Sequence, residues 1–249
     1  MQIQIPDFPA VLPPRLGEVH VWQIQIPRLI PQLAELFTFL SVDEVRRAQR
    51  FHFQKDREQF GVVRGILRFT LAKYLKANPT DIRFQYNDHG KPYLPAEIGH
   101  KRIQFNVSHS SEMALIAITL KYEVGIDIER IRPDLAELKI ARRFFAPEEY
   151  FKLQALPESE QKEAFFNCWT RKEAFIKAKG GGLSIPLDQF CVTFTHHEPA
   201  ALISVKHNPE AVASWSICDL PVNPDYKAAL AIFTKNCQLK FFRIPASER

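Results

Sequence analysis

The sequence predicts an α+β fold of two similar lobes, each with helices packed on a mainly antiparallel sheet. Each half of the 249-residue chain places helical segments before a series of strand-like segments. The halves also share a late strand, Ala114-Leu-Ile-Ala-Ile-Thr in the first and Ala229-Leu-Ala-Ile-Phe-Thr in the second, which favours a duplicated architecture. We therefore divide the chain into an N-terminal lobe, residues 1–121, and a C-terminal lobe, residues 122–249.

In the first lobe, residues 19–27 alternate between apolar and polar side chains, which predicts a strand. A short helix is predicted over residues 31–40, and the capping-box pattern Ser41-Val-Asp-Glu44 begins another. Apolar residues recur every three or four positions over residues 55–75, which is typical of a long amphipathic helix, and Asn78-Pro79 ends it. The remaining predicted strands cover residues 81–86, 104–107 and 113–120.

In the second lobe, helices are predicted over residues 135–144, after Pro147, and over residues 160–179. The glycines of Lys179-Gly-Gly-Gly-Leu183 follow the third helix as its C-terminal cap; they lack the residue order of a phosphate-binding P-loop. Adjacent His196 and His197 would point to opposite sides of a strand, so we interpret both as structural. Strands are predicted over residues 190–195, 201–205, 214–219, 228–234 and 238–244.

Composition is that of a globular protein with a substantial core, since 46% of residues are hydrophobic and 24% are charged. The net charge of +5 favours an anionic partner, but the basic residues form no dense block of the kind that binds nucleic acid. The four cysteines show no metal-ligand spacing, and the N-terminus lacks the basic and apolar regions of a signal peptide. No run of about 18 apolar residues occurs, so we expect a cytoplasmic protein that neither spans nor binds a membrane.

Two carboxylates lie two residues apart in the predicted strand Val124-Gly-Ile-Asp-Ile-Glu-Arg130. Asp127 and Glu129 would point to one face, and Ile126 and Ile128 to the other, because side chains alternate along a strand. The two acids repel each other unless positive charge lies between them. They are either solvated acids on an exposed face or ligands of a divalent cation such as Mg²⁺, which prefers oxygen ligands.

The helix predicted over residues 160–179 places Phe166, Trp169, Glu173 and Lys177 on one face. Glu173 and Lys177 form either a solvated ion pair or part of a cleft. Because the two aromatic residues on the same face should be packed, the pair suits the edge of a core. Glu173 is then a third metal ligand or a base, and Lys177 faces a phosphate.

Hydroxyl and imidazole groups surround the end of the strand predicted at residues 104–107. Ser108 and His109 belong either to an ordinary turn or to a phosphate site. A serine hydrolase is disfavoured because the two residues are neighbours in the sequence and no G-x-S-x-G elbow is present. The turn Asp88-His-Gly-Lys-Pro-Tyr93 would hold Lys91 outward. Basic residues on the first-lobe helices either lie on solvated faces or form, in part, an anion pocket; they are Arg46, Arg47, Arg50, Lys55, Arg57, Arg64 and Arg68.

These stretches, in this order, resemble the motifs of the Sfp-type 4′-phosphopantetheinyl transferases. The family pattern is a G-K-P turn, F-N-x-S-H-S, G-x-D-x-E, and W-[ST]-x-K-E-[AS]-x-x-K followed by G-x-G-L. The matching stretches are Gly90–Pro92, Phe105–Ser110, Gly125–Glu129, Trp169–Lys177, Gly180–Leu183 and Pro186–Asp188. The resemblance extends from about residue 39 to residue 190, and the combination of motifs is highly specific.

The resemblance implies a reaction and a site at the lobe interface of a monomer. The 4′-phosphopantetheine arm of coenzyme A (CoA) would pass to a serine of an apo acyl or peptidyl carrier protein, releasing adenosine 3′,5′-bisphosphate. Asp127, Glu129 and Glu173 would hold Mg²⁺, or Mn²⁺, against the diphosphate. Glu173 or a metal-bound water would take the proton of the carrier serine.

The resemblance also assigns the phosphate contacts. Lys177 would neutralise the diphosphate as the leaving group gains charge. The other CoA-binding residues would be Lys91, Ser108 and His109, with His109 near the 3′-phosphate. Two positions depart from the pattern: Glu44 stands where members are often basic, and Phe60 where some have a small hydroxyl residue. We therefore name Arg47 and Arg57 for the first-lobe contacts to the 3′-phosphate.

Two other functions would use the same residues differently. A metal-dependent phosphodiesterase would use the acids with water as the nucleophile and consume CoA without a carrier. An RNA-binding module would account for the basic, aromatic-rich chain, but it would leave the acidic strand face without a role and would survive Asp127→Ala. The order of the motifs favours the transferase, and the net charge of +5 suits docking of an acidic carrier domain.

Overall fold

A computed structural model describes residue 9 and residues 12–95, 103–133, 135 and 137–244, except for the side chain of Leu183. The elements of the first half are β1 (Glu18–Gln25), α1 (Ile26–Leu29), α2 (Leu33–Thr38), α3 (Val42–Gln49), α4 (Gln54–Leu75), β2 (Gln85–Tyr86), β3 (Pro92–Tyr93), β4 (Ile103–Ser110) and β5 (Met113–Leu120).

The second half continues with β6 (Val124–Arg130), α5 (Glu137–Phe144), α6 (Pro147–Gln154), α7 (Glu158–Lys179), β7 (Phe190–Val192), β8 (Leu202–Val205), β9 (Ser216–Asp219), β10 (Tyr226–Ile232) and β11 (Gln238–Arg243). Short 3-10 turns occupy Ile30–Gln32, Pro79–Asp81, Gly182–Ser184, Leu187–Gln189 and Pro209–Ser214.

The longer strands form two sheets, in the orders β11-β1-β5-β4 and β6-β10-β9. All neighbours in these sheets are antiparallel except β1 and β11, which are parallel. Two small hairpins, β2-β3 and β7-β8, lie outside them. The predicted α+β class with mainly antiparallel sheets is confirmed.

Each sheet is covered by one 22-residue helix, α4 on the first and α7 on the second. Trp22 and Ile116 of the first sheet pack against α4, and Ala229 of the second packs against α7. The opposite faces of the two sheets pack against each other, with Leu115 facing the apolar residues of β6 and β10. The layers are therefore helix, sheet, sheet and helix, and α7 and β6 meet on the outer face of the second sheet.

Most predicted elements are confirmed, and the exceptions have local causes. The helix predicted over residues 31–40 is interrupted at Ile30–Gln32 because Pro31 has no N–H to continue an α-helical ladder. The strand predicted over residues 81–86 is shortened to Gln85–Tyr86, because the Asn78 side chain accepts a hydrogen bond from Thr80 N and caps the 3-10 turn that precedes it. The strand predicted over residues 190–195 ends at Val192.

The chain end returns to the first lobe, because β11 pairs in parallel register with β1. The last strand among the described residues thus belongs to the sheet built mainly from residues 18–120. The division of the chain at residue 121, and the duplication of its lobes, stay predictions. Among the described helices, none combines the length and the apolar character needed to cross a bilayer.

Candidate active site

Asp127 and Glu129 point from β6 toward α7, because Ile126 and Ile128 fill the core between the sheets. Gly125 allows the strand and the helix to approach closely. A Cβ atom at this position would lie 2.1 Å from the carbonyl oxygen of Ala174 and 2.3 Å from the nitrogen of Ala178. The missing side chain therefore brings the two acids within reach of α7.

Asp127 is the centre of a buried polar network, with only 2% of its surface exposed. Its Oδ1 accepts hydrogen bonds from Ser108 Oγ at 2.9 Å and from Lys177 Nζ at 2.5 Å. Lys177 Nζ also donates to Ser108 Oγ at 2.9 Å. Oδ2 is buried and has no hydrogen-bond partner among the described residues. Burying a carboxylate oxygen without a hydrogen-bond partner destabilises the folded protein unless a cation binds to it.

Glu129 is held by Ser110, whose Oγ donates to Glu129 Oε2 at 2.9 Å. The same Oγ accepts from Arg130 N at 3.1 Å, so the single hydroxyl proton of Ser110 is committed to the carboxylate. Burial raises the pKa of Glu129, and the neighbouring charge of Asp127 raises it further. Ser110 thus orients the Glu129 carboxylate, and its hydrogen bond offsets part of the rise in the pKa of Glu129.

Glu173 and Lys177 complete the site from α7. Burial, followed by the charge of Asp127, raises the pKa of Glu173 to about 7. Burial alone would lower the pKa of Lys177, but the attraction and hydrogen bond of Asp127 outweigh it, so the net shift is upward. Lys177 therefore keeps its proton, and three carboxyl groups share one ammonium group.

This excess of acidic groups suits a divalent cation. In the described part of the chain, no three acidic, histidine or cysteine side chains stand ready to bind a metal without movement. Lys177 occupies one oxygen of Asp127, and Ser110 occupies one of Glu129. The unpartnered Oδ2 of Asp127 nevertheless fits a ligand atom. Burial, and then the charge of Asp127, raises the pKa values of Glu129 and Glu173, so a cation beside them would favour their ionised forms. The three acids fit Mg²⁺, with side-chain rotation required for all of them to bind it.

His109 lies between Ser108 and Ser110 but points to the opposite face of β4, where it is exposed. Its Nδ1 is 3.3 Å from Nε2 of Gln59, which also donates to Ser111 O at 2.7 Å. Because the Gln59 amide nitrogen donates, Nδ1 accepts, and the ring proton resides on Nε2. His109 can therefore donate outward from the first lobe.

The structure does not bring Lys91 to the serine and histidine residues. Lys91 Nζ donates to the carbonyl oxygens of Val124 at 3.2 Å and Ala178 at 3.0 Å. Burial lowers its pKa to about 8. Lys91 thus ties its turn to the end of α7, where Gly180 adopts φ +73° and forms the predicted helix cap. Its contact with a CoA phosphate stays a prediction.

Arg47 and Arg57 lie on the first lobe, apart from the acidic network. The guanidinium of Arg47 lies over the ring of Phe60 at 5.4 Å, and Arg57 is exposed on the first turns of α4. Glu44, the acid at the usually basic family position, is buried and pairs with Arg68 at 2.6 Å and Arg64 at 3.5 Å. It also completes the predicted capping box, since Ser41 N donates to its carboxylate. Glu44 is therefore a structural residue.

Sequence reasoning missed three residues that organise the site: Asn106, Ser110 and Gln59. Asn106 Oδ1 accepts from Ile126 N at 2.9 Å, so Asn106, Ser108 and Ser110 bond in turn to β6. We call these three residues the polar seam. Their period-two spacing on one face of β4 was a readable signal, since alternate polar residues on a buried strand need partners.

Two family models match most of the chain. Residues 123–231 match the model described as the 4′-phosphopantetheinyl transferase superfamily, and residues 29–121 match the model described as 4′-phosphopantetheinyl transferase, N-terminal.

Single proteins are also similar over long stretches. The 4′-phosphopantetheinyl transferase HetI of Nostoc sp. is 37% identical over 234 residues, covering 92% of this chain and 95% of HetI. The 4′-phosphopantetheinyl transferase Sfp of Bacillus subtilis is 33% identical over 193 residues, covering 78% of this chain and 82% of Sfp. The crystal structure of Thermotoga maritima holo-[acyl-carrier-protein] synthase is 21% identical, covers 45% of this chain and 63% of its own, and gives a TM-score of 0.37, too low to add to the argument.

Proposed function

The chain belongs to the 4′-phosphopantetheinyl transferases, and we propose that it uses coenzyme A and Mg²⁺ to modify a carrier-protein serine, with the chemistry at the Asp127 network. As a member of this family, it transfers a phosphopantetheine group to a carrier protein. The donor, the metal, the released adenosine 3′,5′-bisphosphate and the residue roles are our proposal. The observation that carries it is the buried contact of Asp127 with Ser108 and Lys177, beside an oxygen left without a partner.

Asp127, Glu129 and Glu173 would hold the divalent cation, since they are the acids that share the cleft between β6 and α7. When bound, Mg²⁺ would neutralise the CoA diphosphate and stabilise the charge that develops on the leaving group. Ser110 keeps Glu129 turned inward through its hydrogen bond. Mn²⁺ has the same preference for oxygen ligands and is expected to substitute.

Lys177 would supply the fixed positive charge of the reaction. The serine oxygen of the carrier attacks the phosphorus that carries the pantetheine arm, and the bond from that phosphorus to the bridging oxygen breaks. The electron pair leaves with adenosine 3′,5′-bisphosphate, and the Lys177 ammonium stabilises this charge because its pKa is raised by Asp127. Ser108, which contacts both residues, orients the ammonium group.

Glu173 is the candidate for the general base. In the metal-free site its pKa is about 7, and a bound divalent cation would lower that pKa and keep Glu173 as the carboxylate that a base requires. The proton of the carrier serine would pass to this carboxylate as the new bond to phosphorus forms. The two bases that the sequence leaves open, Glu173 and a metal-bound water, both stay candidates.

The first lobe would bind the rest of CoA. His109 can donate from Nε2, and Arg47 and Arg57 would supply positive charge from the first-lobe helices. Lys91 would bind a phosphate on leaving the carbonyl oxygens of Val124 and Ala178. We also propose that the enzyme acts as a monomer in the cytoplasm. The described cysteines, Cys168, Cys191, Cys218 and Cys237, are all free, which supports a reducing compartment.

Intact-protein mass spectrometry of an apo carrier incubated with CoA, Mg²⁺ and the enzyme tests the proposal. A mass gain of one phosphopantetheine, abolished by a chelator, is expected. Loss of CoA without any change in the carrier would indicate a phosphodiesterase instead. Unchanged carriers from fatty-acid, polyketide and peptide pathways alike would overturn the transfer reaction.

A further inference from the structure

Two half-buried cysteines, Cys218 and Cys237, meet at the edge of the sheet packing that lies opposite the active site. Cys218 belongs to β9, an outer strand of the second sheet, and Cys237 immediately precedes β11, an outer strand of the first sheet. At the other edge, the polar seam joins β4 to β6 beside the acids. We call Cys218 and Cys237 the thiol pair.

The strand register directs the thiol pair toward the layer between the sheets. Cys218 lies opposite Leu230 in the antiparallel ladder of β9 and β10, and residues opposite each other share a face. Leu230 belongs to the core between the sheets, and Cys237 packs against the same core. One thiol is therefore carried by a strand of the second sheet, and the other by the segment that enters the first.

Hydrogen bonds anchor both chain segments that carry the thiol pair. Gln238 N donates to Gly17 O at 2.9 Å, which fixes the start of β11 beside the start of β1. Ser216 Oγ of β9 donates to Thr234 O at 2.6 Å, which ties the chain before β11 to the second sheet. In this arrangement the two thiols form a hydrogen bond with each other. Such a pair is suited to a disulfide, which forms only where two cysteine side chains can face each other.

Cys218 is the more acidic member of the thiol pair. The hydrogen bond between the two thiols lowers the pKa of Cys218 and raises the pKa of Cys237. The thiolate is the form of cysteine that reacts with oxidants. Both thiols line a cavity of about 240 Å³ that Lys235 also lines. A small oxidant can therefore reach the pair beside a positive charge that favours the thiolate.

We propose that Cys218 and Cys237 are an oxidation site, at which hydrogen peroxide forms a reversible disulfide that stabilises the packing of the two sheets. The Cys218 thiolate attacks one peroxide oxygen, the O–O bond breaks, and a sulfenic acid and hydroxide result. The Cys237 thiol then attacks the sulfenic sulfur, and the hydroxyl group leaves with the thiol proton as water. Two thiols and one peroxide thus give one disulfide and two water molecules, and a small thiol reverses the bond by exchange.

This disulfide would join the sheets covalently at the edge opposite the polar seam. It would close a loop over residues 219–236 and so restrict the unfolded chain more than the folded one. It would also secure β11, the strand that brings the end of the described chain back to the first sheet. A transient disulfide of this kind is compatible with a reducing compartment, where most thiols stay free.

Peptide mass spectrometry of the full chain, denatured and alkylated before and after treatment with hydrogen peroxide, tests the proposal. We expect a peptide crosslinked between Cys218 and Cys237, with Cys168 and Cys191 still alkylated, and dithiothreitol should reverse the crosslink. The melting temperature of the oxidised wild type should exceed that of the reduced wild type by about 5–15 °C, the range for one disulfide in a chain of this size.

Cys237→Ala should show neither the crosslink nor the rise in melting temperature. Cys191→Ala is the matched control and should behave as the wild type, because Cys191 is also half-buried but bonds to Ser204 and not to a thiol. Unmodified thiols, separate sulfinic acids at Cys218 and Cys237, or a disulfide between two molecules would overturn the proposal. Equal melting temperatures of the oxidised and reduced wild type would also overturn it, and these measurements do not depend on any variant folding.

Discussion

The two carboxylate oxygens of Asp127 differ in their hydrogen bonding, and this difference is the main reason to place a cation beside Asp127. Oδ1 is saturated by Ser108 and Lys177, whereas Oδ2 is buried without a described partner. The sequence predicted that Asp127 and Glu129 share a strand face, because alternation in β6 is unambiguous. It did not predict that Ser108 bonds to Asp127 or that Lys91 bonds to backbone carbonyls, because both contacts join residues distant in sequence.

Glu173 makes stability depend on pH in the metal-free protein. Its folded-state pKa is about 7, above the ordinary value of 4.5, so the folded state binds more protons than the unfolded state between these pH values. The contribution to stability is complete below about pH 4.5 and is lost as pH rises through 7. In the presence of a chelator, the melting temperature of the wild type should therefore fall more steeply than that of Glu173→Gln as the pH is raised from 5 to 8.

Mg²⁺ should raise the melting temperature of the wild type more at pH 8 than at pH 6, because it binds the ionised carboxylates. Differential scanning fluorimetry measures both effects. Identical pH slopes for the wild type and Glu173→Gln in the chelator would contradict the raised pKa.

Lys172, next to Glu173 in the sequence, has a structural role. Its side chain is 0% exposed, and Nζ pairs with Glu149 Oε2 at 2.6 Å and bonds to Leu187 O at 2.7 Å. Lys172→Met would leave the Glu149 carboxylate buried without its cation. The free energy of unfolding, measured by urea denaturation, should fall by about 3–5 kcal/mol.

Lys152→Met is the matched control for this change. Lys152 pairs with Glu198 at a similar distance of 2.7 Å, but its side chain is 43% exposed. Solvent screens such a pair, so the loss should be about 0–1 kcal/mol. Equal losses in the two variants would show that burial does not set the contribution of Lys172.

At the scale of elements, the sequence predicted those with a clear period or a capping signal. The helical period predicted a helix over residues 55–75, and its boundaries agree with those of α4 to within one residue. The apolar run predicted a strand over residues 113–120, and both of its ends agree with those of β5. Elements set by proline or by side-chain caps were misplaced, as at Pro31 and Asn78. The Glu44–Arg64 pair joins α3 and α4. It could not be predicted from the sequence, because a local residue pattern does not determine how two helices pack against each other.

The contact between β6 and α7 should not tolerate a side chain at Gly125. In Gly125→Ala the new methyl group would overlap the backbone of Ala174 and Ala178, so the helix must move away from the strand. Glu173 and Lys177 would move with it, and we expect transfer to fall more than about tenfold, since small misplacements cost large factors in rate. The rate of holo-carrier formation per folded enzyme measures this.

Gly65→Ala provides the control, because its Cβ atom would lie 2.8 Å from Leu36 Cβ in the first lobe, away from the acids. Its stability should fall, while turnover of the folded enzyme stays close to that of the wild type. Undiminished turnover in Gly125→Ala would show that close packing of β6 on α7 is not required.

The whole molecule is held together by the packing of one sheet on the other and by β11. Residues 1–121 alone would lack β11, the neighbour of β1, and would expose Val21 and Leu115, which face the second sheet. We therefore expect this fragment to show no cooperative urea transition by circular dichroism, in contrast to the full chain. A sharp transition in the fragment would show that the first lobe is an independent folding unit.

The central claim is that acids from β6 and α7 act together in the cleft between this strand and this helix to drive phosphopantetheine transfer. The most direct measurement is the initial rate of holo-carrier formation, followed by intact-protein mass spectrometry over a range of Mg²⁺ concentrations. Glu163→Ala, which removes an exposed acid of α7 paired with Lys227, is the matched control and should retain wild-type transfer. Glu129→Ala and Glu173→Ala should fold normally and give no transfer at any Mg²⁺ concentration, whereas near-normal turnover of Glu173→Ala would contradict the account.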